Sequence, residues 1–331
     1  MSAGKNKQSL LINLIDITCL FFVKIIIGLI YFLPYSLAIW ICRTVVLFIV
    51  LLMPRANNVA LRNLELVFPE KSLAERKKIV LGSYQTLAVN LFTYAKIPTL
   101  TKKNAQEIVD FNDAEAILKK CREESPDTGI ILPTLHFGCF EMLAQFMALL
   151  GNPFSFLARG FGLRRVDAWW NIRREMFGNK VFSRKGGYQE ITDRIKSGED
   201  VGVLFDQNVK VNHAVFSEFF GIEAATTKSV AIVALRTGAP ILLSTCAIIG
   251  RNKYKLYAFK IHNPIDEEGT QQQKISSITR ELHQRVEEVI RLHPEQWMWI
   301  HRRYKTRPPG EKENLYDLDS QIYNHRTTVK N

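Results

Sequence analysis

His136 and Glu141 stand five residues apart, at the point where one apolar run ends and another begins. Gly129-Ile-Ile-Leu-Pro-Thr-Leu135 precedes the histidine, and Met142 to Leu150 follows the glutamate. A histidine leaving a buried strand with a carboxylate close behind suits a general base and its orienting partner. The imidazole takes a proton while the carboxylate fixes which ring nitrogen is free. Spacing alone is weak, because His213/Glu218, His262/Glu267 and His283/Glu288 share it. Context separates them. His283 falls on a charged helical face, His213 in a polar stretch, and His262 heads a turn at Asn263-Pro264. Only His136 leaves an apolar strand with a glycine beside it, Gly138, where backbone can approach a ligand closely. The base is therefore assigned to His136 and the orienting carboxylate to Glu141.

Other residues offer chemistry nearby. Cys139 follows His136 by three positions, and a thiol at a helix start can have a lowered pKa, so a covalent nucleophile is conceivable; packing is the plainer reading. Arg159, Arg164, Arg165, Arg173, Arg174, Arg184 and Lys185 crowd one segment. Arginine forks bind phosphate and carboxylate bidentately, so these residues read as a phosphate-recognition wall, with a solvated face as the alternative. Asp206-Gln207 closes the apolar run Val201-Gly-Val-Leu-Phe205, at a strand end where α/β folds collect ligands; a plain turn or helix cap is the alternative reading. Phe219-Phe220 reads either as the lining of an acyl pocket or as packing. No Gly-x-Ser-x-Gly elbow, phosphate loop, dinucleotide fingerprint or clustered metal ligands are present. The sequence therefore calls for no metal and no cofactor.

The elements that must position these residues alternate. Short β-rich runs at 129–135, 154–158, 180–183, 201–205, 240–248 and 254–261 are separated by helical stretches at 139–150, 165–177, 187–197 and 226–237. That alternation predicts an α/β fold with a mixed, largely parallel sheet flanked by helices. Ser72 with Glu75 and Thr270 with Gln273 read as capping boxes of two longer helices. The second helix carries Ile275, Ile278, Leu282, Val286, Val289 and Ile290 on one stripe.

The N-terminus has a different character. Residues 10–33 hold 17 Leu, Ile, Phe or Val, which contribute roughly −5 to −10 kcal/mol to membrane insertion. Asp16 and Lys24 oppose this by roughly 2.5 to 3.5 kcal/mol each if central. Residues 35–53 add 11 more such residues and one charge, Arg43. Basic residues flank the region on both sides (Lys5 and Lys7, Arg55 and Arg62), so both flanks favour the cytoplasm. The pattern predicts a membrane anchor over 1–55, built as a hairpin or an in-plane element, with two buried helices of a soluble bundle as the alternative, then a catalytic domain over 56–310 and a polar tail over 311–331. Net charge is +12, which calls for anionic partners. Without zinc-finger spacing, an aromatic RNA-binding motif or a basic arm, nucleic acid is not among them. Five scattered cysteines argue for a reducing compartment rather than a disulfide framework.

Five segments, taken in order, resemble a known family: Asn63-Leu-Glu-Leu-Val-Phe-Pro-Glu70, His136-Phe-Gly-Cys-Phe-Glu141, Asp206-Gln207, Phe219-Phe-Gly221 with Thr226, and Pro294-Glu-Gln-Trp-Met-Trp-Ile-His-Arg-Arg303. Together they are similar to the late lauroyl/myristoyl acyltransferases of bacterial lipid A biosynthesis, a branch of the lysophospholipid acyltransferase superfamily. The resemblance implies an inner-membrane enzyme whose catalytic domain faces the cytoplasm. It implies transfer of a fatty acyl chain from acyl carrier protein to a hydroxyl of a phosphorylated lipid A precursor. His136 matches the family's histidine and Glu141 its acidic partner, while Arg184 and one of Arg173 or Arg174 match positions expected to meet substrate phosphate or support the site. The same layout occurs in enzymes that acylate phosphatidylinositol mannosides. A glycerophospholipid acceptor, a thioesterase and a non-catalytic membrane-binding protein are the other readings.

Overall fold

The computed structural model describes residues 2–183, 186–311 and 314–316, with side chains from residue 12 onward. Most of the expected polar tail, and Arg184 and Lys185, lie outside the described residues.

The chain opens with three helices, α1 (Ser2–Phe32), α2 (Tyr35–Leu51) and α3 (Pro54–Val67), broken at Pro34 and near Pro54. α1 contains a stretch long and apolar enough to cross a membrane, Ile12–Phe32. Ile27 and Ile30 are buried against the body, whereas Ile12, Phe21, Phe22, Leu29 and Phe32 are exposed. Both α1 and α2 pack along α4 (Leu73–Lys96). α4 starts at the expected capping box, with Ser72 and Glu75 exchanging hydrogen bonds. The polar stretch after it folds as α5 (Lys102–Ile108), the two-residue strand β1 (Val109–Asp110) and α6 (Asn112–Glu124).

The alternating region then runs β2 (Ile131–Thr134), α7 (Phe140–Leu149), β3 (Ser155–Leu157), α8 (Arg164–Arg174), β4 (Lys180–Phe182), α9 (Gly187–Lys196) and β5 (Val201–Leu204). A hairpin of β6 (Ala214–Phe219) and β7 (Ile222–Thr227) leads to α10 (Ser229–Thr237), β8 (Ile241–Gly250), β9 (Lys253–Ile261) and α11 (Gln271–Leu292). The expected helix at 226–237 is shorter, because Thr226 and Thr227 end β7. α11 has its Thr270/Gln273 capping box, and its apolar stripe is buried.

Seven strands form one sheet in the order β1-β9-β8-β2-β5-β3-β4. All neighbours are parallel except β8 and β9. β6 and β7 form a separate antiparallel pair. Apolar β2, β5 and β8 lie at the centre, as strands covered on both faces should. From β2 the chain crosses to β3 and β4 on one side, then returns to insert β5 between β2 and β3 and cross to β8 on the other. The carboxyl ends of β2 and β5 therefore border the crevice where such sheets bind ligands.

Pro133 sits inside β2, where a proline normally removes a ladder bond. It costs nothing there. The Ile131 amide donates to Pro240, so alternate residues of β2 face β8, but the β2–β8 pairing is confined to Ile131 and Ile241. Beyond that pair the strands part, and they meet again at Gly138 and Cys246. The β2 segment spends two more residues than β8 between those contacts, and a tight turn centred on His136, in which the Phe137 amide donates to Leu135 O at 2.8 Å, lies within the extra length.

Candidate active site

The β2–β5 register determines what faces His136. Leu132 pairs with Gly202 and Thr134 with Leu204, an offset that places Asp206 opposite His136 two residues beyond the strand ends. The Asp206 carboxylate makes three hydrogen bonds. Its Oδ1 lies 2.8 Å from His136 Nδ1, and its Oδ2 accepts from the His136 amide at 2.9 Å and from the Trp297 indole N–H at 3.0 Å.

The electrostatics identify the free nitrogen. Burial alone would raise the Asp206 pKa, but the neighbouring imidazole, the Trp297 indole and the His136 amide lower it to about 2. An ionised carboxylate only accepts, so Nδ1 carries the proton and Nε2 keeps its lone pair. Among the described residues Nε2 has no hydrogen-bond partner. Burial works to lower the imidazole pKa. The charge and hydrogen bond of Asp206, with a further contribution from the Glu141 charge, outweigh it and raise the pKa above its ordinary value. The Phe140 ring packs edge-on against the imidazole at 5.2 Å. A narrow cleft beside the ring is lined by Ser83, Thr86 and Asn90 of α4 and by Met298 and Ile300.

The carboxylate hydrogen-bonded to the His136 ring is thus Asp206, where Glu141 was expected. Glu141 lies in the first turn of α7 and grips Arg174 at the end of α8 with both oxygens, at 2.5 and 3.1 Å. The physical reason is the turn between them. The Gly138 amide donates to Gln296 O and the Cys139 amide to Cys246 O, which pins the start of α7 and turns Glu141 towards α8. Gly138 has φ +54°, and a Cβ there would lie 2.0 Å from Cys246 O. Its lack of a side chain therefore serves a backbone crossing rather than the approach of a ligand.

The arginine segment does not form one wall. Arg159 and Arg164 are exposed, and Arg165 bonds Asp16 of α1. Arg173 stacks over Trp169, its Nε buried with no hydrogen-bond partner among the described residues; burial lowers its pKa. Arg174 is committed to Glu141. Arg184 and Lys185 lie outside the described residues. Asp206 is buried and pairs with the histidine rather than facing a substrate, while Gln207 is exposed at the same strand end. Cys139 is fully buried, and that burial pushes its thiol up to about 12, far from a thiolate nucleophile. Phe219 packs against Trp297 and Tyr304 in the core.

His283, read as surface-facing, is 1% exposed. Its Nδ1 meets Glu218 O, and its Nε2 meets Thr226 Oγ1 and Arg303 Nη2. Burial first, then the Arg303 charge, lower its pKa to about 3. The neutral imidazole anchors the hairpin to α11.

The segment 294–303 holds the site together. Gln296 clamps both the amide and the carbonyl of Ile248 at 2.8 Å. The Met298 amide donates to His136 O. His301 Nε2 accepts from the Asn208 amide. Asn90, buried in α4, donates to Gly138 O at 2.6 Å. Sequence reasoning named neither Asn90 nor Trp297 as a site residue. A buried asparagine amid Ala88, Leu91 and Phe92 was the available signal for the first. The second had none outside the family motif.

Comparison with known proteins places the chain in a family. Residues 5–306 match the family described as bacterial lipid A biosynthesis acyltransferase. The chain is 27% identical to the lipid A biosynthesis palmitoleoyltransferase of Escherichia coli K12 over 263 residues, covering 79% of this chain and 82% of that protein. It is 27% identical to the lipid A biosynthesis myristoyltransferase of the same organism over 271 residues (78% and 80%) and 26% identical to its lauroyltransferase over 274 residues (78% and 82%). With nine-tenths of its length matched, and the motif histidine seated at the switch point of the sheet, the chain belongs to the bacterial lipid A biosynthesis acyltransferase family.

Proposed function

We propose that this protein transfers a fatty acyl chain from acyl carrier protein to a hydroxyl of a phosphorylated lipid A precursor at the inner membrane, with its catalytic domain on the cytoplasmic side. The observation that carries the reading is His136 Nε2, unpartnered beside the cleft, on an imidazole whose other nitrogen is held by Asp206.

Nε2 removes the proton of the acceptor hydroxyl as its oxygen attacks the donor's thioester carbonyl. The imidazolium formed is stabilised by the Asp206 charge at 2.8 Å. When the tetrahedral intermediate collapses, the carbon–sulfur bond breaks and the imidazolium returns its proton to the departing thiolate. The substrate is the nucleophile, so no acyl-enzyme forms; this is the base-and-orienter half of triad logic. The amides of Phe137, Gly138 and Cys139 are already bonded to backbone carbonyls, which removes the residues around Gly138 as oxyanion donors. The first-turn amides of Phe140 and Glu141 have no acceptor among the described residues and suit that role. Arg173 suits the acceptor's phosphate. The basic balance of the chain favours both a phosphorylated glycolipid and an acidic carrier.

The test is acylation of a phosphorylated lipid A precursor by acyl carrier protein thioesters in membranes containing wild type or His136→Ala, read by lipid mass spectrometry. A gain of one acyl group with wild type only is expected. Equal gain with His136→Ala would refute the mechanism. No gain with any chain length would move the acceptor to a glycerophospholipid or a phosphatidylinositol mannoside, and free fatty acid without acceptor would indicate a hydrolase.

A further inference from the structure

Asp16 is an anomaly in α1. It is the one acidic residue among the apolar positions of 12–32, yet it is 3% exposed while its neighbours Ile15 and Ile17 are 44% and 50% exposed. Its carboxylate accepts from the Arg165 amide at 3.0 and 3.2 Å, the Val166 amide at 3.3 Å and Arg165 Nη1 at 3.3 Å.

Those amides belong to the first turn of α8. The residue that should cap this helix, Leu163, has the extended backbone of an N-cap (φ −115°, ψ 101°) but no side-chain acceptor. Asp167, in the same turn, is occupied with the Phe161 amide. α8 is therefore capped from another element. Its far end is held as well: Gln145 and Asn179 both donate to Arg174 O. Between these fastenings lie Trp170, whose carbonyl accepts from Tyr94 OH, and Arg173, stacked over Trp169. The anchoring helix is in turn tied down at its C-terminal end, where Lys96 Nζ donates to Tyr31 O at 2.6 Å.

We infer that α1 is a working part of the acceptor site: Asp16 is a positioning residue that caps α8 and so holds Arg173 and the Arg174–Glu141 pair in register with His136. A plain tether would discard a charge that opposes insertion. Here the charge is retained because it supplies the acceptor that Leu163 lacks. The apolar face of α1 meets lipid, its opposite stripe meets α4 and α8, and the phosphate-facing helix is thereby set at the membrane surface. This rests on the acyl-transfer reading for the identity of the acceptor, but the cap itself does not.

The test uses the full-length protein in proteoliposomes as wild type, Asp16→Asn, Asp16→Leu and the double variant Asp16→Leu/Leu163→Ser. Asp16→Leu makes α1 more apolar, so a tether would be unharmed or improved. Instead it should remain membrane-bound but exchange amide hydrogens of 164–170 faster. Its KM for the phosphorylated acceptor should rise roughly 3- to 30-fold, the equilibrium factor of a lost cap, with the KM for the acyl donor unchanged. Asn, which keeps a carbonyl acceptor, should stay near wild type. Ser at position 163 restores a local cap and should recover both readouts. Wild-type exchange and wild-type acceptor KM in Asp16→Leu would overturn the inference. So would failure of the double variant to recover while Asp16→Leu is impaired. A wild type inactive on the lipid A precursor would count against the proposed function alone, since hydrogen exchange still decides the cap.

Discussion

Asp206→Asn separates the roles of the two carboxylates. At present Oδ2 takes two N–H groups, from His136 and Trp297, and Oδ1 takes the Nδ1 proton. An amide can satisfy the two N–H donors only with its carbonyl oxygen. Its NH2 group then faces Nδ1, which must become an acceptor, and the proton moves to Nε2, the nitrogen that should act as base. The variant also removes the charge that stabilises the imidazolium; unit charges about 4 Å apart at an effective dielectric near 20 attract by about 4 kcal/mol. At about 1.4 kcal/mol per decade this is close to three decades of rate, so kcat/KM should fall roughly 10²- to 10³-fold, within the usual contribution of general base catalysis. The pH profile gives an independent readout. The base works deprotonated, so activity rises as pH passes upward through the raised pKa of His136. Removing Asp206 removes the main raising influence and leaves burial, which lowers the pKa. The acid limb should therefore move to lower pH while the plateau drops. The assay is kcat/KM for acyl transfer against pH, with circular dichroism to verify folding. A wild-type plateau, or an acid limb that stays in place or moves upward, would refute the assignment of Asp206.

Two further outcomes follow from neighbouring geometry. Glu141→Gln leaves the Nδ1 partner intact, so its acid limb should move much less than that of Asp206→Asn; it strands Arg174, which is largely buried, and should lower the melting temperature. Removing both charges in Glu141→Gln/Arg174→Met should recover part of that loss, since an unpaired buried charge costs more than a missing pair, typically about 3 to 5 kcal/mol for full burial; a double variant less stable than the single would contradict this. Gly138→Ala should fold poorly or unfold at markedly lower temperature, because its Cβ would meet Cys246 O at 2.0 Å in a turn with φ +54°. A melting temperature within a degree or two of wild type, for a change of this kind that costs more than about 1 kcal/mol, would show that the β8 crossing yields easily.

Much of the architecture was legible because it follows from local rules. Buried parallel strands are continuous apolar runs, and the six expected strands fall within one or two residues of those observed. Capping boxes are four-residue patterns, and both expected ones form. The β6–β7 hairpin was missed. Ala214 to Thr227 carries Phe219-Phe220-Gly221 at its tip rather than a strong two-residue turn signal, and its threonines read equally well as a helix start. His283 was misplaced for a related reason: its chain neighbours are charged, but its burial is decided by Thr226 and Arg303, far from it in sequence.

The sequence by itself determined that a histidine leaves the carboxyl end of a central strand, that the fold is a mostly parallel α/β sheet, and that the N-terminus is a long apolar stretch. Each of these depends on the order of neighbouring residues. Tertiary structure alone decided which carboxylate lies against His136, since Asp206 reaches it through the register of two adjacent strands 70 residues apart. It also decided that Glu141 pairs with Arg174, and that Asp16, the lone acidic residue of an apolar stretch, meets the first turn of a helix 149 residues further along the chain. A hydrogen bond joins atoms close in space, and spacing in sequence reports that closeness only within a turn or two of one element.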